Sequence, residues 1–427
     1  MYIRRVVLQN IKGFKEAELD FATPDNEYPG FSVITGDNGT GKTAFLRAIA
    51  LATLGPDQSR GLVPDLSGWV TEGLNRGTIS VEVLPNHDLD RTRRGGFPVQ
   101  GTFWAEVEII RDGATWVINP TDVFRKKRLS AVNGPWHSTT AGWFVLGYGP
   151  FRRMYGSSPD AQRLMVIPGR IPHFATLFKE DATLAEGEEW VKQLKYKRLE
   201  DREEESLALA NLLLLVKDDF LRHGVLIEEV NSDGIWLRDA AGRLVPLSDM
   251  SEGYRSALAM LIDIYRHMVD VYGPKDLVQV SDDEKYRVVR PGVVLIDEVD
   301  AHLHPQWQRV IGFWMKDHFP EVQFIVTTHS PIVCQAADGG RVYHMPSLSD
   351  GESPFQLSTQ DFHKVIGGKP DEILLTPAFG MEHTRSPRAV AARRRRAQLL
   401  SRQMTLGGLG DDELHELRQL SLFAGEQ

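Results

Sequence analysis

Three short runs carry the residues whose types and spacing could do chemistry. Gly36-Asp37-Asn38-Gly39-Thr40-Gly41-Lys42-Thr43 matches G-x-x-x-x-G-K-[ST] completely. Its glycines let backbone N–H groups turn inward around phosphate oxygens, and a following helix N-terminus adds a fixed positive field. Lys42 supplies a point charge for the β/γ-phosphates of a nucleoside triphosphate, and Thr43 a hydroxyl for Mg²⁺. In the second run, Val293-Val294-Leu295-Ile296 delivers Asp297-Glu298 to a strand end. An acidic pair is costly there unless it has a task. Asp297 would hold the magnesium shell, and Glu298 would polarise an attacking water. The third run is a polar turn, residues 248–253, at the start of an apolar-periodic helix; taken alone, Ser251 is an ordinary N-cap. Together these runs predict binding and hydrolysis of ATP with Mg²⁺.

The elements that must position these residues follow from periodicity. Residues 2–8 alternate as a strand up to a polar break at Gln9-Asn10, and Phe31-Ser32-Val33-Ile34 runs straight into the phosphate loop. Helical spacing follows through Ala44, Phe45, Leu46, Ala48, Ile49 and Leu51. Residues 78–84, 103–110 and 115–118 alternate as an antiparallel β layer, and 142–148 forms one more strand. Between 177 and 223 the pattern is helical and highly charged: Trp190, Leu194 and Leu199 mark one helix, and residues 207–220 a second. The pair makes a short arm, without the sustained heptads of a long coiled coil. The runs at 293–296 and 324–326 are continuously apolar, as in a parallel sheet covered on both faces, and 271–290 is a polar surface insertion. The expected divisions are 1–176 for a lobe with the phosphate loop, 177–224 for the arm, 225–376 for a second lobe and 377–427 for an Arg-rich tail.

Composition excludes several classes. The chain has 427 residues, with 42% hydrophobic, 25% charged, 38 Gly, 23 Pro and one cysteine. It is therefore neither collagen-like, nor wholly disordered, nor a disulfide scaffold. No apolar stretch reaches membrane-spanning length and the N-terminus lacks a signal-peptide core, so a cytoplasmic protein is expected, without a membrane partner. The net charge of −9 argues against a broadly basic surface. Charge is concentrated at the tail: residues 379–402 hold seven arginines against Glu382, whereas 410–427 hold five acids and one arginine. Arg91-Thr92-Arg93-Arg94, Arg125-Lys126-Lys127-Arg128 and Arg393-Arg394-Arg395-Arg396 are basic runs; solvated faces and contacts with DNA, RNA or an acidic partner both remain open.

In order along the chain stand a phosphate loop, β layer, helical arm, Ser-x-Gly helix start, acidic strand, Asp-loop and Thr-His-Ser. This order resembles the SMC-like branch of ABC ATPases. More narrowly, it is similar to the small AAA-family ATPases without long coiled coils of bacterial anti-phage systems. Those are the Septu ATPase subunit and the retron-associated ATPases, with overcoming-lysogenization-defect ATPases as cousins. The resemblance covers about residues 1–345 and is most specific in Val245-Pro246-Leu247-Ser248-Asp249-Met250-Ser251-Glu252-Gly253-Tyr254-Arg255-Ser256 and Asp297-Glu298-Val299-Asp300-Ala301-His302-Leu303-His304-Pro305. It implies an α/β P-loop NTPase of ABC/SMC-head type: a mixed central sheet, an antiparallel β layer and a short helical arm.

The resemblance also implies roles. Met250-Ser251-Glu252-Gly253-Tyr254 stands where the ABC signature Leu-Ser-Gly-Gly-Gln stands, so Ser251, Glu252 and Gly253 would meet a γ-phosphate held by the opposite subunit. His329 in Thr327-Thr328-His329-Ser330 matches the switch histidine that contacts the γ-phosphate. His302 and His304, which could suggest a metal, fall in the dimer-facing Asp-loop. The implied partners are a second copy, as a homodimer or higher oligomer with head-to-tail ATP sites, and a separate effector, a nuclease or toxin. The sequence departs from the family in two places. Gly147-Tyr148-Gly149-Pro150-Phe151-Arg152 offers no glutamine where ABC proteins carry one, and about 80 residues follow Pro346, too few for a Toprim nuclease domain. The chain is expected not to cut nucleic acid itself. Two competing functions are a DNA-repair clamp and a transporter cassette; the short arm weighs against the first, and the atypical signature and missing glutamine against the second.

Overall fold

The run entering the phosphate loop is a buried strand inside a six-stranded sheet. The structure, a computed structural model, describes residues 1–23, 27–98, 100–121, 130–138, 140–221, 224–349, 351–406 and 408–421. A five-stranded antiparallel sheet has the order β2 (Phe14–Asp20), β1 (Tyr2–Ile11), β4 (Arg76–Leu84), β5 (Phe103–Asp112), β6 (Thr115–Pro120). In the six-stranded sheet, β3 (Gly30–Thr35), β7 (Val145–Tyr148), β13 (Gly292–Ile296), β14 (Val322–Thr327) and β15 (Val342–His344) run parallel. Its edge strand β16 (Phe355–Gln356) is antiparallel, and the order is β16-β15-β3-β14-β13-β7.

Alternation along these strands feeds two cores. Val294, Ile296, Phe324 and Val326 face one, while Val293, Leu295 and Ile325 face the other. Both faces are covered, which is why β13 and β14 are apolar at nearly every position. One exception, buried Gln323, joins the sheets: its amide accepts from Ile3 N–H at 2.8 Å and donates to Ile3 C=O at 2.7 Å. The second core is closed by the antiparallel sheet and by α1 (Lys42–Leu62). That helix kinks at Gly55-Pro56. Pro56 has no N–H for the Ala52 carbonyl, and the Trp136 indole N–H donates to it instead, at 2.7 Å.

The first core is closed by α2 (Ala185–Leu199), α3 (Glu203–Lys217), α4 (Glu252–Tyr272) and α5 (Pro305–His318). Leu194, Leu209, Leu212 and Leu215 of the α2–α3 hairpin are buried with Leu258 and Tyr265 of α4, while the hairpin tip, residues 199–204, is exposed. A three-stranded sheet of β8 (Leu226–Asn231), β9 (Gly234–Arg238) and β10 (Leu244–Pro246) precedes α4, and the polar 271–290 stretch carries the hairpin β11 (Val278–Val280)–β12 (Tyr286–Val288).

Several local expectations are corrected. Gln9-Asn10 does not break β1, since Gln9 pairs with Glu16 and Thr78; the turn comes at Lys12 (φ 50°) and Gly13 (φ 92°). The strand expected over 142–148 begins at Val145. Gly142 and Trp143 both have positive φ, and the Asp90 carboxylate takes the Trp143 N–H at 2.6 Å. Helix α3 ends at Lys217 rather than near Phe220, where Asp219 (φ 54°) turns the chain. Arg91 is structural: it donates to the His87, Asp88 and Asp90 carbonyls and covers the Phe97 ring. Arg125-Lys126-Lys127-Arg128 lies outside the described residues.

At the C-terminus, α6 (Pro387–Leu406) and α7 (Asp411–Ser421) form a charge-complementary hairpin. Arg395 holds Glu416 through two 2.9 Å bonds, and Arg402 holds Glu413 at 2.7 Å. Both pairs are solvent-exposed, so water and salt screen them. Among the described residues no helix is long and apolar enough to cross a membrane.

Candidate active site

The parallel strands deliver the singled-out residues from one end. β3 leads into Gly36, β13 into Asp297, β14 into His329 and β7 into Gly149, as expected where a parallel sheet builds a site at its C-terminal edge. Backbone conformation explains the glycines of the loop. Gly36 has φ 147°, and a Cβ there would lie 2.5 Å from the Met345 carbonyl oxygen. Gly41 has φ 91°, and a Cβ would sit 2.5 Å from the Phe14 ring. Gly41 is also the N-cap of α1, so no side chain occupies the first-turn N–H groups, which remain for an anion.

Lys42 lies across this loop, 6% exposed, donating to the Gly36 and Asp37 carbonyls at 2.8 Å each. Burial lowers its pKa, opposed by Asp297, Glu298, Asp37 and Asp300. Thr43 Oγ1 donates to Asp297 Oδ2 at 2.6 Å, and Thr327 Oγ1 donates to Asp297 Oδ1 at 2.6 Å. Asp297 is 1% exposed, so each charge-assisted bond contributes about 1.5–3 kcal/mol. A buried carboxylate beside a hydroxyl fits Mg²⁺, which is commonly held by one or two protein oxygens together with phosphate and water.

Glu298 is half-buried, and its carboxylate makes no hydrogen bond among the described residues. Its φ of 45° is unusual for a non-glycine residue, and its N–H donates to Thr327 Oγ1 at 2.7 Å. His329 is exposed just past β14. Around it, Thr328 N–H donates to the Ile34 carbonyl at 3.3 Å and Thr328 Oγ1 to Asp300, which ties this segment to β3 and to the turn after β13.

Ser251, Glu252 and Gly253 stand apart from this cluster. No hydrogen bond among the described residues joins them to residues 36–43. Ser251 is the N-cap of α4 by position, but its side chain makes no capping bond and is exposed. Glu252 is paired with Arg255. Gly253 packs against the Asp-loop, where a Cβ would lie 2.8 Å from the His302 carbonyl oxygen. A cavity of about 480 Å³ is lined by Ser251, Gly253, His302, His304 and Trp307. His304 Nδ1 accepts from Gln306 N–H at 3.3 Å and so caps α5.

Two residues that sequence reasoning missed belong to the cluster. Thr327 bridges Asp297 and Glu298; its only signal was a hydroxyl at the end of an apolar strand. Arg152, 2% exposed, sits where a glutamine was sought, and donates to the Gly149, Asp297, Glu298 and Val299 carbonyls.

A family model described as "AAA domain, putative AbiEii toxin, Type IV TA system" matches residues 151–334, and one described as "AAA domain" matches residues 5–96. The "Septu protein PtuA" of Bacillus mycoides (strain KBAB4) is 24% identical over 384 residues, covering 90% of this chain and 45% of that protein. The "Retron Vc95 probable ATPase" of Vibrio cholerae serotype O1 biovar El Tor is 31% identical over 127 residues, covering 28% of this chain and 23% of that one. The chain thus spans less than half the length of these relatives. The solved SMC head bound to the C-winged helix domain of ScpA aligns with a TM-score of 0.48 at 18% identity, covering 84% of this chain and 99% of that chain. With its phosphate loop and two sheets, the chain matches AAA-domain models over residues 5–96 and 151–334 and is similar to the Septu and retron ATPases.

Proposed function

We propose that the chain binds and hydrolyses ATP with Mg²⁺, and that its nucleotide state controls a separate effector, a nuclease or toxin, in bacterial anti-phage defence. The observation that carries the catalytic part is the 2.6 Å bond from Thr43 to Asp297, residues 254 positions apart in the chain. It joins the phosphate loop to the acidic strand end. Lys42 and the loop N–H groups would bind the β/γ-phosphates, with Thr43 and Asp297 holding Mg²⁺. The ion would neutralise charge on the phosphates. Glu298 would take a proton from the attacking water, and His329 would contact the γ-phosphate from the end of β14. Cytoplasmic placement and the effector rest on the likeness to the Septu and retron proteins.

Calorimetry with a non-hydrolysable ATP analogue tests binding. Lys42→Ala should lose a charged bond to phosphate, about 1.5–3 kcal/mol, which is roughly 10- to 150-fold in Kd. Equal affinity in the two proteins would refute the reading. The C-terminal hairpin, by contrast, is assigned to assembly or partner docking. It lies beyond the last motif, and α7 contributes no buried residue. A protein ending before Pro387 should bind ATP with unchanged affinity while its oligomer size or effector association changes. A folded truncation that no longer binds ATP rules out this assignment.

A further inference from the structure

The loop after β7 lacks the glutamine sought there, yet it is bonded to the active site through Arg152. The Arg152 guanidinium reaches across to the turn that follows β13. One terminal nitrogen donates to the Gly149 carbonyl at 3.0 Å and the Asp297 carbonyl at 2.9 Å; the other donates to Glu298 at 3.1 Å and Val299 at 3.4 Å. All of these partners are main-chain oxygens. The chain leaves the sheet at this turn, with Glu298 at φ 45°; the Glu298 carbonyl also accepts from the Ala301 N–H at 2.9 Å, while the Asp297 and Val299 carbonyls accept from the guanidinium. A planar fork of donors can serve several carbonyls at once, which an ammonium cannot do in the same geometry.

We infer that Arg152 is a positioning residue for Glu298, holding the turn that aims its carboxylate; this rests on the reading of Glu298 as the general base. The side chain also places a cation behind the acidic cluster. Burial lowers its pKa to about 10, with Asp300, Asp297 and Glu298 opposing, so it stays charged at neutral pH. The same loop is anchored at its far end to the helical hairpin. Leu184 N–H donates to the Arg153 carbonyl at 2.8 Å, and Tyr155 Oη donates to Glu188 Oε2 at 2.7 Å. Arg152 therefore connects the catalytic turn to the segment that leads into α2.

The test compares wild type, Arg152→Lys, Arg152→Ala and Glu298→Gln for kcat, KM, affinity for a fluorescent ATP analogue and melting temperature. Misplacing a catalytic group by about 1 Å can cost roughly 10²-fold. Arg152→Lys should therefore lower kcat by about 10- to 100-fold, with KM and nucleotide affinity within about threefold of wild type. Added guanidinium at millimolar concentration should restore part of the kcat of Arg152→Ala and leave Arg152→Lys unchanged. Should Arg152→Ala fail to fold, Arg152→Lys decides. A wild-type kcat in Arg152→Lys alongside an inactive Glu298→Gln overturns the inference, as does a loss of kcat matched by loss of nucleotide affinity. An active Glu298→Gln instead overturns the reading of Glu298 itself.

Discussion

A Glu298→Gln protein should keep its nucleotide and lose its turnover, by about 10²–10⁴-fold, the usual contribution of a positioned general base. The substitution preserves size and shape and removes only the negative charge that would accept a proton. Structure around it should persist, because Glu298 is held through its backbone: its N–H goes to Thr327 and its carbonyl to Arg152. Its carboxylate has no protein partner among the described residues, so neutralising it leaves no buried group orphaned. Phosphate release measured at saturating ATP gives the rate, and native mass the assembly state. The slowed protein is expected to accumulate as an ATP-bound dimer. Turnover at the wild-type rate would remove Glu298 from the mechanism.

The second large effect concerns where the site is completed. Thr43 and Ser251 are about 200 residues apart in the chain, and each lies at the start of a 21-residue helix. Lys42, Thr43, Asp297 and Thr327 meet in one cluster, whereas Ser251-Glu252-Gly253 lines a separate cavity with the Asp-loop. One γ-phosphate cannot readily lie on both helix starts of one head. In a head-to-tail C₂ pair, each phosphate loop would be capped by the partner's Ser251-Glu252-Gly253, with ATP as the glue.

At ATP concentrations below its raised Kd, Lys42→Ala protein leaves its own loop empty, whereas Ser251→Arg protein would hold ATP but not cap its partner. Ser251 is exposed and makes no capping bond, so the arginine should not disturb the fold. Each variant alone should be nearly inactive. Random mixing makes half of the dimers mixed, and each mixed dimer has one intact composite site. About a quarter of wild-type activity should therefore return. No recovery in demonstrated mixed dimers would leave the composite site without its main support.

The phosphate loop and the acidic pair were legible because their constraints are local. Gly36 and Gly41 need conformations that few other residues adopt, and the parallel strands are apolar on both faces, so composition and spacing reveal both. Chain order placed the antiparallel layer, the helical hairpin and Ser251 at a helix start for the same reason: hydrophobic period is written in neighbouring residues. Arg152, Thr327 and the Asp90 bond that delays β7 were not legible, and neither was the positive φ of Glu298. Each depends on partners brought together from distant segments, as when Arg152 meets carbonyls 145–147 residues away. Arginine after a proline-containing loop has no local signature of burial; only folding removes its water and leaves main-chain oxygens to replace it. Local sequence specifies which groups can do chemistry, whereas packing sets how they are held, because hydrogen-bond partners are chosen by proximity after the sheets close.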